Sequence, residues 1–226
     1  MKKIIGILGG TFDPPHLGHL ALAEAAQAQL GLSELRIVPA GYPPHRTPPV
    51  ASPFMRWMMA LATFTGHPNW QISCDEMKRN PSYTIHTIRR FRHWLGQDTP
   101  LVLLLGADAY AGLSSWYRAS EIPRFVHLAV FARKGAEKSH PPTPDPATLL
   151  AASPAGQTVF FDVDLPNISA TRIRQWIAQG VKVDGCLAPS VSALLRQIPV
   201  YENHDENDVM LEAIAYEKLF VRNTHD

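Results

Sequence analysis

The stretch that determines the fold is IIGILGGTFDPPHLGH, residues 4–19. Its first part, residues 4–8, is a short apolar run rich in β-branched side chains, which predicts a buried strand ending in a pair of glycines. The segment LALAEAAQAQLGL at 20–32 is rich in helix formers and closes on a glycine. Together these segments predict a strand, a glycine turn and a helix.

The same alternation of strand and helix continues along the chain. Strands connected by helices favour an α/β fold, a parallel sheet with helices on both faces and right-handed crossovers. We expect further strands at 35–40, 70–74, 101–108, 126–133 and 158–163, helices at 54–66, 83–96, 168–180 and 189–198, a surface loop over most of 135–157, one domain over 1–201, and a C-terminal helical tail over 202–226 whose role the sequence does not assign.

Composition excludes several classes of protein. The formal net charge is +1, so the strong positive charge of a duplex-binding protein is missing, and we expect no nucleic-acid partner. The arginines in RRFRH, residues 89–93, are interpreted as a solvated helix face. Cys74 and Cys186 are far apart, which argues against a disulfide framework or a thiolate metal site. Without a signal-peptide pattern or an apolar run long enough to cross a membrane, we expect a soluble, cytoplasmic protein.

The glycine turn has the features of a phosphate-binding site. Gly9 and Gly10 follow the strand, where the missing Cβ atoms let backbone N–H groups approach a ligand. The helix that starts near Leu17 offers unsatisfied N–H groups and the positive end of its dipole. His16 and His19, three residues apart, project from one face toward the same anion and can donate hydrogen bonds to it. Asp13 either holds this turn or contacts substrate, and the sequence leaves both alternatives open.

This stretch resembles the signature of the nucleotidyltransferase superfamily, whose (H/T)xGH element corresponds to HLGH at 16–19. The whole of GGTFDPPHLGH resembles the bacterial nicotinate mononucleotide adenylyltransferases. Similar family segments follow in the family's order: PAGYPPHR at 39–46, DEMKRNPSYTIHTI at 75–88, LLGADAYAGLSSW at 104–116 and NISATRIR at 167–174. The chain departs from the family at Ala170, where a second serine is common, and at Arg46, where lysine is usual.

The resemblance implies a Rossmann-like fold of the nucleotidylyltransferase type. It also implies an enzyme that joins the adenylyl group of ATP to the phosphate of nicotinate mononucleotide, releasing pyrophosphate and forming the dinucleotide precursor of NAD. Catalysis is expected from His16, His19 and Arg174. The residues expected to bind ATP are Gly9, Gly10, Thr11, Phe12, His16, His19, Gly106, Asp108, Arg133, Ser169, Thr171 and Arg174. Mg²⁺ is expected to arrive with ATP, because Mg²⁺ often binds through substrate phosphates and the sequence has no compact carboxylate cluster.

The acceptor side has its own set of expected residues. These are Thr11, Phe12, His45, Arg46, Ser82, Tyr83, Thr84 and Trp116. A helix start at Ser82 to Thr84 would favour a carboxylate over a neutral carboxamide, and so nicotinate over nicotinamide. Trp116 resembles the aromatic residue that stacks on the pyridine ring in this family, and core packing is its alternative role.

Some alternatives stay open. Arg172 is either a phosphate contact or a solvent-facing helical arginine. The acceptor could instead be nicotinamide mononucleotide or phosphopantetheine, and a regulator that binds nucleotide without turnover is an alternative from another class. The sequence does not decide between a monomer and a homo-oligomer, nor the protonation state of the two histidines.

Overall fold

The computed structural model describes residues 3–44, 48–133 and 143–202. Its strands are β1 (Ile5–Gly10), β2 (Glu34–Pro39), β3 (Trp70–Ile72), β4 (Leu101–Gly106), β5 (His127–Arg133) and β6 (Thr158–Val163). Its helices are α1 (Leu17–Leu30), α2 (Pro53–Phe64), α3 (Thr84–Leu95), α4 (Ala107–Ala111), α5 (Pro146–Ala151), α6 (Ala170–Ala178) and α7 (Pro189–Gln197). Short 3₁₀ segments at Leu113–Ser115 and Ala119–Arg124 connect α4 to β5.

All pairings in the sheet are parallel, and the strand order is β3-β2-β1-β4-β5-β6. From β1, the chain places β2 and then β3 toward one edge of the sheet. It then crosses to the other side of β1, where β4, β5 and β6 follow in order. In open sheets of this kind, ligands bind beyond the carboxyl ends of the strands where the order reverses. The end of β1 therefore lies at the point where a binding cleft is expected.

Helices cover both faces of the sheet, as predicted. In β4, Val102 and Leu104 belong to the core cluster under α1 and α5, whereas Leu101, Leu103 and Leu105 belong to the cluster under α3. Side chains of a strand alternate between faces, so this all-apolar strand is buried on both sides. The predicted α/β class with a doubly covered parallel sheet is confirmed.

A third core cluster joins α2, α6 and α7 at one end of the sheet. It contains Met55 and Met59 of α2, Ile173 of α6, Leu195 of α7, and Tyr201 near the end of the described chain. This packing fixes the start of α6 beside the turn that follows β1.

Three local predictions need correction. β4 ends at Gly106 rather than at residue 108, because α4 begins directly after it. β3 stops at Ile72, two residues before the predicted end. The predicted loop 135–157 contains α5, which the sequence signalled through Asp145, whose carboxylate accepts the N–H of Thr148 at 3.4 Å, followed by a proline at the first helical position. Residues 134–142 and the tail from 203 to 226, including its predicted helix, lie outside the described residues.

Candidate active site

The turn after β1 is held by the aromatic ring of Phe12. This side chain is 1% exposed and packs edge-on against Phe64 at 5.6 Å between ring centroids. A Cβ atom at Gly10 would lie 2.7 Å from the Phe12 ring, so packing requires glycine there. A Cβ atom at Gly9 would meet nothing within 4 Å, which leaves space above that backbone. Because the Phe12 side chain is buried, only its backbone can face a ligand.

His16 and His19 form a pair at the start of α1. Their rings stack with centroids 3.7 Å apart, and the backbone N–H of His16 donates to Nδ1 of His19 at 3.2 Å. The edge of Phe12 packs against His19 at 5.0 Å. Since Nδ1 of His19 accepts a hydrogen bond, the neutral ring carries its proton on Nε2. The structure thus brings the two predicted histidines together and fixes the tautomer of the second.

His16 is buried and electrically neutral near pH 7. Its pKa is lowered from 6.5 to about 4, chiefly by burial and also by the positive charge of Arg133, while a backbone hydrogen bond raises it in part. The ring fits closely over Gly18, where a Cβ atom would lie 3.1 Å from His16 Cε1 and Nδ1. A larger residue at position 18 would push this ring aside, which gives a physical reason for the glycine in HLGH.

One N–H group of this helix start is already satisfied by the protein. The N–H of Leu17 is not left for an anion, because it donates to the backbone oxygen of Cys186 at 2.9 Å. The segment before α7 therefore satisfies one of the orphan donors of α1. No sequence pattern links these two positions.

Asp13 holds the turn. Its carboxylate is 4% exposed and accepts hydrogen bonds from the N–H groups of Val50 and Ala51 at 2.9 and 3.0 Å, and from the hydroxyl of Tyr201 at 2.8 Å. These protein donors occupy both carboxylate oxygens. Of the two alternatives left open by the sequence, the geometry supports the structural one.

Arg174 lies beside this turn although it is far away in sequence. Its Nη1 donates to the backbone oxygen of Asp13 at 2.7 Å and lies 3.8 Å from the Asp13 carboxylate, and its Nη2 is 3.5 Å from Thr171 Oγ1. Ser169 is the exposed N-cap of α6 and makes no side-chain capping hydrogen bond. Arg172 is exposed with its guanidinium over the Trp176 ring at 5.5 Å, in line with a solvent-facing role.

The residues predicted at the ends of the next strands reach the same edge of the sheet. Gly106 ends β4, and Asp108 is exposed in the first turn of α4. Arg133 is the exposed last residue of β5. Since β1, β4 and β5 are parallel neighbours, these residues lie at the same edge of the sheet as the histidine pair, where a cleft is expected.

The SYT segment precedes α3 on the other side of the cleft. Tyr83 is the N-cap of α3, and Thr84 is its first residue. Ser82 is 5% exposed, and its hydroxyl accepts the N–H of Tyr42 at 3.1 Å while its own N–H donates to the Tyr42 oxygen at 3.0 Å. Ser82 therefore joins this segment to the loop after β2. Any further contact of Ser82 with substrate stays a prediction.

Trp116 is partly buried and packs, like Tyr83, against the core cluster under α3. The structure adds a residue that sequence analysis missed, since Tyr117 is 43% exposed and stacks on Tyr83 at 4.3 Å. His45 and Arg46, predicted in the loop after β2, lie outside the described residues.

Comparisons with known proteins agree with this geometry. The cytidylyltransferase-like family model matches residues 7–176. A protein of Dechloromonas aromatica named "Probable nicotinate-nucleotide adenylyltransferase" is 38% identical over 216 residues, which cover 90% of this chain and all of the relative. A protein of the same name from Aeromonas hydrophila is 39% identical over 89% of this chain and 98% of the relative. The chain belongs to the nicotinate-nucleotide adenylyltransferase family.

Solved structures share the fold of this family member. The nicotinic acid mononucleotide adenylyltransferase of Plasmodium falciparum, complexed with NaAD, superposes with a TM-score of 0.66 at 13% identity, covering 88% of this chain and 97% of that one. The same enzyme complexed with APC gives a TM-score of 0.64 at 12% identity and similar coverage. No helix within the described ranges is long and apolar enough to cross a membrane.

This family member also contains a buried arginine that sequence analysis missed. Arg56 of α2 is 0% exposed, and its side-chain hydrogen bonds within the described residues all go to backbone oxygens. Nε donates to Ala51 at 3.0 Å, Nη1 donates to Thr11 at 2.8 Å and to Ala40, and Nη2 donates to Gly41. Burial lowers its pKa, although the nearby Asp13 charge raises it. The sequence did carry a signal for this burial. Arg56 is a charged residue on the apolar face of α2, at i, i+3 and i+4 spacing with Met59 and Ala60.

Proposed function

We propose that this protein transfers the adenylyl group of ATP to the phosphate of nicotinate mononucleotide, giving nicotinate adenine dinucleotide and pyrophosphate. The observation that carries the proposal is the stacked pair His16 and His19 at the end of β1, with Arg174 held beside the same turn. The relatives' names supply the acceptor, and the site supplies groups suited to phosphates.

The reaction needs no nucleophile from the protein. An oxygen of the acceptor phosphate attacks the α-phosphorus of ATP, a new P–O bond forms, and the bond to the oxygen bridging the α- and β-phosphates breaks. The electron pair leaves with pyrophosphate. Catalysis then depends on positioning the two substrates and on stabilising charge at the α-phosphate and the leaving group.

On the ATP side, we assign His19 to transition-state charge on the α-phosphate, because its Nε2–H is a defined donor. His16 is neutral at pH 7, so its ring donates a hydrogen bond to phosphate without carrying a positive charge. Arg174 binds the β- and γ-phosphates with its forked guanidinium, oriented by the Asp13 carbonyl. Around them we assign Gly9, Gly10, Thr11, Phe12, Gly106, Arg133, Ser169 and Thr171 to ATP contacts, and Asp108 to the ribose hydroxyls.

On the acceptor side, Tyr83 and Thr84 stand at the start of α3, where the positive end of the helix dipole favours a carboxylate over a carboxamide. Trp116 stacks on the pyridine ring. Thr11, Phe12 and Ser82 border the mononucleotide, and His45 and Arg46, outside the described residues, are assigned to its phosphate. This arrangement selects nicotinate over nicotinamide.

We assign Mg²⁺ to the phosphates of ATP rather than to a protein cage. The carboxylate of Asp13 already accepts protein donors on both oxygens, and Mg²⁺ commonly binds through substrate phosphates. When bound, Mg²⁺ neutralises charge on the leaving pyrophosphate. We further propose that residues 1–201 form the catalytic domain and that the enzyme works in the cytoplasm on free nucleotides.

The test gives the purified protein Mg²⁺ and ATP with nicotinate mononucleotide, nicotinamide mononucleotide or phosphopantetheine in parallel, measuring pyrophosphate and the adenylylated product. Rapid turnover with nicotinate mononucleotide alone is expected. Preference for another acceptor would overturn the roles of Tyr83, Thr84 and Trp116. ATP binding without turnover on any acceptor would favour the nucleotide-binding regulator.

A further inference from the structure

We infer that Arg56 is a positioning residue that fixes the ATP side of the cleft relative to the acceptor side. The inference rests on the proposed function, because it concerns alignment of the two substrates. Arg56 itself is buried in α2, and its side chain reaches the candidate site only through the backbone oxygen of Thr11.

The two N–H groups of one guanidinium nitrogen connect the turn after β1 with the loop after β2. Nη1 of Arg56 donates both to the oxygen of Thr11, in the turn after β1, and to the oxygen of Ala40, directly after β2. Nη2 holds the next carbonyl, Gly41, and Nε holds Ala51 where the loop enters α2. A planar fork of this kind fixes several acceptors at once, which a lysine ammonium cannot reproduce.

Holding a carbonyl also orients the next N–H group. In a trans peptide, the C=O of one residue and the N–H of the next point in opposite directions. The Thr11 oxygen accepts from Arg56, so the N–H of Phe12 points away from the guanidinium. This N–H belongs to the turn assigned to both substrates, and Phe12 is held at a φ of 53°.

The same rule applies to the second loop. Because Arg56 holds the Gly41 oxygen, the N–H of Tyr42 points away from the guanidinium, and it donates to the hydroxyl of Ser82 at 3.1 Å. The N–H of Ser82 returns to the Tyr42 oxygen at 3.0 Å. Arg56 is thereby connected through one peptide and two hydrogen bonds to the start of α3.

A buried charge is an expensive way to stabilise a fold. Burying a guanidinium costs solvation, and apolar side chains of similar size often stabilise a buried position equally well. What the charge supplies here is direction, since it orients four carbonyl groups from two loops. Transfer between two separately bound substrates is sensitive to alignment, and a misplacement of about 1 Å costs on the order of 10²-fold in rate.

The chain offers a matched control in Arg92 of α3. The prediction that the arginines at 89–93 form a solvated helix face is wrong for this residue, which is buried. It is 4% exposed, and within the described residues its guanidinium also donates only to backbone oxygens, including Thr99 at 2.6 Å, Pro154 at 2.9 Å and Phe125. These partners precede β4, β6 and β5, at the edge of the sheet opposite the candidate site. Arg92→Lys therefore tests the loss of a buried, carbonyl-bonded fork without disturbing the cleft.

The experiment compares Arg56→Lys with Arg92→Lys and the unchanged protein. Stability is measured by urea unfolding, kcat and KM by product formation per folded molecule, and ATP affinity by calorimetry. We expect both variants to lose stability, but only Arg56→Lys to lose kcat, by at least about 10-fold, with ATP affinity changed less than about 3-fold. Equal kcat losses in the two variants, or an unchanged kcat in Arg56→Lys, would overturn the inference.

Amide hydrogen exchange provides a readout that does not depend on activity. Arg56→Lys should accelerate exchange at Phe12 and Tyr42, and Arg92→Lys should leave both unchanged. If the unchanged protein turned over none of the acceptors, the proposed function would fail. Hydrogen exchange at Phe12 and Tyr42 would still test whether Arg56 connects the two loops. If Arg56→Lys does not fold in buffer, the measurements are repeated in sucrose, which favours the folded state. Failure to fold even there would assign Arg56 a purely structural role and overturn the inference.

Discussion

The depressed pKa of His16 predicts how stability depends on pH. The unfolded chain binds a proton at this histidine near pH 6.5, whereas the folded protein does so only near pH 4. Between these values the unfolded state holds more protons, so lowering the pH favours unfolding. The contribution of His16 is complete above about pH 6.5 and is lost as the pH falls to about 4. At about 1.4 kcal/mol per pH unit, the loss is about 3 kcal/mol.

The assay is urea unfolding between about pH 7.5 and about pH 4.5, with His16→Gln as the comparison. Glutamine keeps an N–H donor but does not titrate in this range. We expect the stability of the unchanged protein to fall more steeply than that of the variant, and the difference between the two curves to isolate His16 from the other acids and bases.

NMR of the His16 ring, assigned by its disappearance in His16→Gln, measures the same pKa directly. A titration midpoint near 6.5, or parallel pH curves for the two proteins, would refute the argument that burial and Arg133 keep this ring neutral. Binding of a non-hydrolysable ATP analogue should raise the midpoint, because phosphate charge favours the protonated ring.

Three further substitutions test individual assignments. His19→Ala should lower kcat on the order of 10²-fold in the pyrophosphate-release assay, the scale for a group that stabilises transition-state charge, and a near-unchanged kcat would remove His19 from the chemistry. Trp116→Ala should raise KM for the mononucleotide while leaving KM for ATP almost unchanged, and equal weakening of both would make Trp116 structural. Tyr201→Phe removes a buried hydrogen bond to the Asp13 carboxylate and should cost about 1.5 to 3 kcal/mol in urea unfolding. A loss below about 0.5 kcal/mol would show that this hydrogen bond does not hold the turn.

The strands were predictable because buried strands need apolar residues, which are visible in the sequence. All six occur in segments rich in apolar residues, and β4 is the clearest, since it is apolar on both faces. The short elements were harder. α4 begins inside the apolar run that predicts β4, and the 3₁₀ segments after it follow no periodicity. α5 carried a recognisable start at Asp145, but its six residues are too few for a helical pattern to stand out.

The candidate site was partly predictable for a different reason. His16 and His19 are close in sequence, so helix geometry alone places them together. Arg174 reaches the same turn only through the core cluster that α6 shares with α2 and α7, which the sequence does not reveal without the family resemblance. The roles of Arg56 and Cys186 rest on hydrogen bonds to backbone oxygens, and a backbone oxygen carries no residue-specific signal.

Transfer of the adenylyl group of ATP to an oxygen of the mononucleotide phosphate is tested most directly by isotope tracking. Nicotinate mononucleotide labelled with ¹⁸O in its phosphate is incubated with unlabelled ATP and Mg²⁺, and the products are analysed by mass spectrometry. The proposed chemistry predicts that every labelled oxygen is found in the dinucleotide and none in pyrophosphate. Label in pyrophosphate, or release of AMP without dinucleotide, would contradict it.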